Sequence, residues 1–124
     1  MIDTIIIDDE PHCIQHLERL LQKHAQDKIR LLGSFENVAQ GIAAIEALKP
    51  DLLFLDIQLH GQTGFDLLQQ IDTSRLSVIF TTAYDQYAVQ AFRFSATDYL
   101  LKPIDADDLV NSLQKAADNL IKKQ

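Results

Sequence analysis

The chain has 124 residues, with 18 Asp and Glu against 11 Lys and Arg, a formal charge of −7 with histidine neutral. That length sets one domain as the prior, and 47% hydrophobic with 23% charged residues separates it from disordered chains. The acidic excess argues against direct binding of a nucleic-acid backbone or an anionic membrane surface, both of which need a Lys/Arg stripe.

The N-terminus reads Met1-Ile2-Asp3, then Thr4–Ile7, then Asp8-Asp9-Glu10. It has neither the basic start nor the apolar stretch of a secretory signal. Cys13 is the only cysteine, which fits a reducing, cytoplasmic setting and the role of a half-buried helix filler. Apolar runs then recur at Ile29–Leu32, Leu52–Leu55, Ser77–Thr81 and Tyr99–Leu101. Most are continuous rather than alternating, as in strands buried on both faces of a parallel sheet. Ile29-Arg30-Leu31 is mixed and suits an edge.

Helical spacing fills the intervals. Ile14, Leu17, Leu20 and Leu21 share one side of a first helix, with Pro11 in its first turn. Val38, Ile42, Ile45 and Leu48 mark a second, stopped at Lys49-Pro50 and weakened by Gly41 at about 1 kcal/mol against alanine. Phe65–Ile71 and Gln86–Phe92 predict two short helices. Leu109, Leu113, Ala116, Ala117 and Leu120 give the last, with Asp105 as N-cap and Asp107 and Asp108 in its first turn. Strand-helix alternation, five times over, predicts an α/β fold: a doubly wound parallel sheet with helices on both faces.

Such sheets bind ligands beyond the carboxyl ends of their strands. There the sequence delivers Asp8 and Asp9, then Asp56, then Thr81-Thr82-Ala83, then Lys102-Pro103. Ionised carboxylates held together demand a cation, and an oxygen-only set suits Mg²⁺. A hard cation, an ammonium and a hydroxyl make a receiver for a phosphoryl group, with one carboxylate as nucleophile. Asp56 stands alone after a central apolar strand and is the candidate acceptor.

Asp8-Asp9, Phe54-Leu55-Asp56-Ile57, Thr82-Ala83 and Lys102-Pro103 together resemble the signature of CheY-like response-regulator receiver domains. The likeness spans essentially the whole chain as one domain, 1–124, with no output domain in it. Phe80–Asp85 and Ala96–Pro103 further resemble receivers attached to LytTR-type DNA-binding domains. The resemblance implies a strand order of 2-1-3-4-5 and a two-component switch that catalyses only its own phosphorylation and dephosphorylation. It assigns Asp56 as acceptor from a sensor histidine kinase. The resemblance further implies that Mg²⁺ would be bound directly by Asp9, through water by Asp8, and by Asp56 and the backbone carbonyl of Gln58. By the same resemblance Lys102 and Thr82 would contact the phosphoryl group, Tyr99 would be the aromatic switch, and Lys102-Pro103 is expected to be cis. Gln58 and Tyr84 match positions that tune phosphoryl lifetime. The face of the fourth helix, fifth strand and fifth helix, near Phe92, Arg93 and Phe94, is the expected surface for dimerisation or for an effector. Where the family often has Met-Pro, this chain has Leu59-His60, which predicts a looser loop between Asp56 and Gly64.

Plainer readings exist for single residues. Asp8-Asp9 alone could be an acidic helix start, Thr82 a strand end and Tyr99 a core aromatic. His12 and His16 have i,i+4 spacing but no evident further ligand, and read as surface histidines; His60 lies near the site. A phosphohydrolase with an aspartate nucleophile is the alternative function, although Gln58 stands where such enzymes tend to carry a second acid. A nucleotide or flavin module fits poorly, because Asp8-Asp9-Glu10-Pro11 lacks glycine and would repel phosphate.

Overall fold

A computed structural model describes residues 1–122. In chain order the elements are β1 (Ile2–Ile7), α1 (Pro11–Ala25), β2 (Ile29–Phe35), α2 (Val38–Leu48), β3 (Leu52–Asp56), β4 (Gln58–Leu59) and β5 (Gln62–Thr63). They continue with α3 (Gly64–Leu68), β6 (Ser77–Thr82), α4 (Ala88–Arg93), β7 (Asp98–Leu101) and α5 (Ala106–Lys122). Five strands form one parallel sheet in the order β2-β1-β3-β6-β7. With the short β4–β5 hairpin set aside, this is the expected 2-1-3-4-5.

The continuous apolar runs have the predicted cause. Every residue of β3 and β6 is buried, because helices cover both faces. One core layer joins Ile5, Ile7, Leu53, Leu55 and Phe80 to α2, α3 and Phe94. The other joins Ile6, Phe54 and Ile79 to Ile14, Leu17 and Leu21 of α1 and to Leu109 and Leu113 of α5. The acidic first turn of α5 is opened by Asp105, whose carboxylate accepts from the Asp107 and Asp108 amides at 3.2 and 3.4 Å.

Gly41 acquires a reason here. A Cβ at that position would lie 2.5 Å from Ile7 Cδ1, so glycine lets α2 settle onto β1. The cost to helix propensity is offset by closer packing and by the Asn37 cap, whose Oδ1 accepts from the Gln40 amide at 2.9 Å.

Some boundaries differ from expectation. The strand β2 runs to Phe35 rather than Leu32, because its pairing with β1 skips Leu32 and resumes at Gly33. The helix α3 stops at Leu68, short of Ile71, and α4 spans Ala88–Arg93 instead of Gln86–Phe92. The segment after Asp56 is not a loose loop. Gln58 pairs with Thr63 and Leu59 with Gln62, and Gly61 turns the hairpin at φ 72°. Thr63 then opens α3 with a reciprocal capping box to Asp66. Cross-strand pairing supplies the order that the absent proline would have given. Of the predicted domain 1–124, residues 123 and 124 lie outside the described part.

Candidate functional site

The carboxyl ends of β1, β3, β6 and β7 meet at one edge of the sheet. Asp8 follows β1, with its backbone N–H bonded to the Phe35 carbonyl at 3.0 Å. Its Oδ1 accepts from the Glu10 amide at 2.9 Å, which turns the chain into α1. Asp56 ends β3, paired with Thr81 of β6. The Lys102 amide bonds the Thr82 carbonyl at 2.8 Å, which continues the β6–β7 ladder past Leu101. The Lys102–Pro103 peptide is cis, as the resemblance implies.

Side chains converge accordingly. The Lys102 ammonium lies 2.8 Å from Asp8 Oδ2 and 3.2 Å from Asp56 Oδ2. Asp8 and Asp56 are only 3% and 4% exposed, so both carboxylates are held out of bulk water. Single oxygens of Asp8, Asp9 and Asp56 all lie within 4.8 Å of one another. Three carboxylates thus face one ammonium. Fully ionised, the cluster retains two negative charges, the deficit that a divalent cation would cancel. Its donors are all oxygen, which fits Mg²⁺ better than a thiophilic ion.

The electrostatics follow from this crowding. Burial, then the charge of Asp8, pushes Asp56 up to about 6, against the opposing pull of Lys102 and the Gln58 amide. Burial works against the charge on Lys102. Even so, its hydrogen bond to Asp8 and the two carboxylates leave the ammonium harder to deprotonate than an ordinary lysine.

A cavity of about 230 Å³ opens above Asp56, lined by Asp9, Gln58, His60, Ala83, Tyr84 and Lys102 among others. Gly64 lies close against the Asp56 backbone. A Cβ there would fall 2.5 Å from the Asp56 carbonyl oxygen, and the Gly64 amide bonds the Ile57 carbonyl at 2.7 Å. Glycine therefore lets the start of α3 approach the Asp56 backbone.

Thr82 is fully buried, and its Oγ1 accepts from the Tyr84 amide at 3.3 Å. Tyr99 is half-buried, and its hydroxyl donates to the Tyr84 carbonyl. The β6–α4 loop is thus held from both sides. Tyr84 itself is 45% exposed at the cavity rim. His60 Nε2 lies 3.5 Å from Asp9 Oδ2 at the mouth.

Other residues singled out by sequence lie outside the Asp8, Asp9 and Asp56 cluster, although His12 and Cys13 line a neighbouring pocket together with Asp8 and Lys102. His12 pairs with Glu10 at 3.1 Å and is largely exposed. Cys13 is half-buried beside them, with its thiol pushed up by burial. Phe92 and Phe94 part company: Phe92 is 83% exposed, whereas Phe94 packs on Phe65 with ring centroids 5.0 Å apart. Sequence reasoning missed Tyr87, whose hydroxyl accepts from Gln58 Nε2 at 3.1 Å. Only its place three residues after Tyr84, in a loop beside the site, could have drawn attention to it.

The comparisons with known proteins bear on this geometry. The family model of the response regulator receiver domain matches residues 4–114. The chain belongs to the response regulator receiver domain family. It is 41% identical over 116 residues to the transcriptional regulatory protein BtsR of Escherichia coli K12, covering 93% of this chain and 48% of that protein. It is 42% identical over 116 residues to a response regulatory protein of Vibrio cholerae, again across 93% of this chain and 48% of that one. The chain therefore spans about half the length of the curated relatives it matches. Among solved structures, the response regulatory domain of mrkE from Klebsiella pneumoniae superposes with a TM-score of 0.83 at 31% identity. That match covers 97% of this chain and 98% of the other. No described helix is long and apolar enough to cross a membrane.

Proposed function

We propose that this receiver is a cytoplasmic switch in which Asp56 accepts a phosphoryl group from a sensor histidine kinase. The observation that carries this reading is the convergence of Asp8, Asp9, Asp56 and Lys102 at the carboxyl edge of the sheet.

In the transfer, an Asp56 carboxylate oxygen attacks the phosphorus of a phosphohistidine. The new P–O bond forms as the P–N bond breaks, and the imidazole nitrogen keeps the electron pair. Asp9 would hold Mg²⁺ directly, Asp8 through water, with Asp56 and the Gln58 carbonyl completing the protein ligands. The cation would offset charge on the transferring oxygens. Lys102, already between Asp8 and Asp56, is placed to follow the incoming oxygens, and the Thr82 hydroxyl has its own hydrogen to donate to them.

Movement of Thr82 toward the phosphoryl group would pull on the Tyr84 amide that its oxygen now accepts from. Tyr99, bonded to the carbonyl of the same residue, would register that shift on β7. The exposed apolar side chains Val89, Phe92 and Leu101 are placed to read it out as a dimer or effector face. The output under this reading is transcription, through a LytTR-type DNA-binding domain. The receiver itself carries net −7 and does not bind DNA directly.

Incubation with Mg²⁺ and acetyl phosphate, followed by intact mass and peptide mapping, tests the assignment. One phosphoryl group on Asp56 is expected, with none on an Asp56→Asn protein. Label persisting on that variant would overturn the assignment. Sustained turnover of phosphomonoesters would instead favour an aspartate-nucleophile phosphohydrolase.

A further inference from the structure

The mouth above Asp56 holds an arrangement that acceptor chemistry alone does not require. Gln58 lies two residues beyond the acceptor and is pinned twice. Its backbone N–H points at Asp56 Oδ1 at 3.4 Å, and its strand pairing with Thr63 fixes the direction of the side chain. Its carboxamide is exposed, on the rim of the cavity over the acceptor. A free amide there could hydrogen-bond a water and orient it toward phosphorus, as glutamine does in nucleotide hydrolases.

That amide is not free. Gln58 Nε2 donates to the Tyr87 hydroxyl at 3.1 Å, across 29 residues of sequence. Tyr87 is itself braced. Its ring is half-buried just before α4, tilted against Phe65 at 6.3 Å and edge-on to Tyr84 at 6.4 Å. Phe65 is in turn fixed in the core by Phe80 and Phe94 at 4.9 and 5.0 Å. The Tyr87 hydroxyl therefore has a defined position, and it draws the Gln58 amide toward α4. Tyr84, on the same rim, closes part of the remaining approach.

We propose that Tyr87 is a positioning residue that sets the lifetime of phosphorylated Asp56 by holding the Gln58 carboxamide away from the hydrolytic water. This rests on Asp56 being the acceptor. In the hydrolysis concerned, a water oxygen attacks phosphorus while the acyl-phosphate P–O bond breaks. The Asp56 carboxylate leaves with the electron pair, and the water's proton passes to solvent as inorganic phosphate departs. Tyr87 touches none of these atoms and acts only through Gln58.

The test measures loss of the phosphoryl group from Asp56 by intact mass, after acetyl phosphate is removed and Mg²⁺ is kept constant. Tyr87→Phe retains the ring and its packing and removes only the hydroxyl. Loss of phosphoryl is expected to be about threefold faster than in wild type, the leverage of one neutral hydrogen bond of ordinary strength. In a Gln58→Ala background the same Tyr87→Phe change is expected to have no effect, which separates positioning from a general loosening of the fold. An unchanged lifetime in Tyr87→Phe would overturn the proposal, as would an equal acceleration with and without the Gln58 amide. Failure of Asp56 to take up phosphoryl in wild type would instead overturn the reading of the acceptor on which the proposal rests.

Discussion

Replacing Asp56 with asparagine should make the metal-free protein more stable, although it removes one partner of a buried ion pair. The carboxylate titrates near 6 in the fold against 3.8 as the ordinary value, raised by burial and by Asp8. A raised carboxylate pKa means that the folded state resists ionisation, so the penalty is absent below about 3.8 and complete above about 6. A shift of this size corresponds to about 3 kcal/mol, an upper bound because the cavity mouth admits solvent. The asparagine side chain has nearly the same shape and no charge, and Lys102 keeps Asp8 at 2.8 Å. The advantage of Asp56→Asn should grow from below about 1 kcal/mol near pH 4 to about 3 kcal/mol near pH 8. Each kcal/mol moves the midpoint by roughly 4 °C in a domain of this size. Thermal melts of both proteins in EDTA across that range are the assay. A difference that is flat with pH, or a variant less stable at pH 8, would refute the account of Asp56 as a carboxylate held at electrostatic cost.

Three further outcomes are expected. Millimolar Mg²⁺ should raise the wild-type melting midpoint, by the equivalent of about 1.4 kcal/mol at ten times Kd, and should help Asp56→Asn less; equal shifts in melts of the two would count against Asp56 as a ligand. Gly41→Ala should lower stability by about 1–3 kcal/mol in urea titration despite alanine's better helix propensity, because its Cβ would meet Ile7 Cδ1 at 2.5 Å. Gly64→Ala should displace the Asp56 backbone, whose carbonyl oxygen lies 2.5 Å from the new Cβ, and slow phosphoryl uptake from acetyl phosphate severalfold while the fold survives by circular dichroism.

The sheet was legible because burial on both faces writes itself as unbroken apolar runs, and Leu52–Leu55 and Ser77–Thr81 are such runs. The convergence of Asp8, Asp56 and Lys102 was legible because each follows a strand, and parallel strands end at one edge. The β4–β5 hairpin was not, since two-residue strands carry no periodicity and Gly61 is the sole turn signal. Gly33 and Ser34 look like a strand end, yet β2 continues through them after its bulge at Leu32. Tyr87 stayed hidden because its bond to Gln58 joins the short strand β4 to the loop before α4, which only the tertiary fold brings together.

The position of β7 has a mechanical consequence. It is four residues long and lies at the margin of the sheet, hydrogen-bonded on one flank only, to β6. It also carries Tyr99, and it leads directly into Lys102. An outer strand shifts by straining one ladder, whereas displacing β3 would strain two and drag both core layers. This short outer strand is connected at its far end, through Lys102, to the acidic pocket, and its last residue, Leu101, is an exposed apolar side chain. Under the proposed switching, a change of a single bond at the pocket would be converted into displacement there while the rest of the sheet stays still.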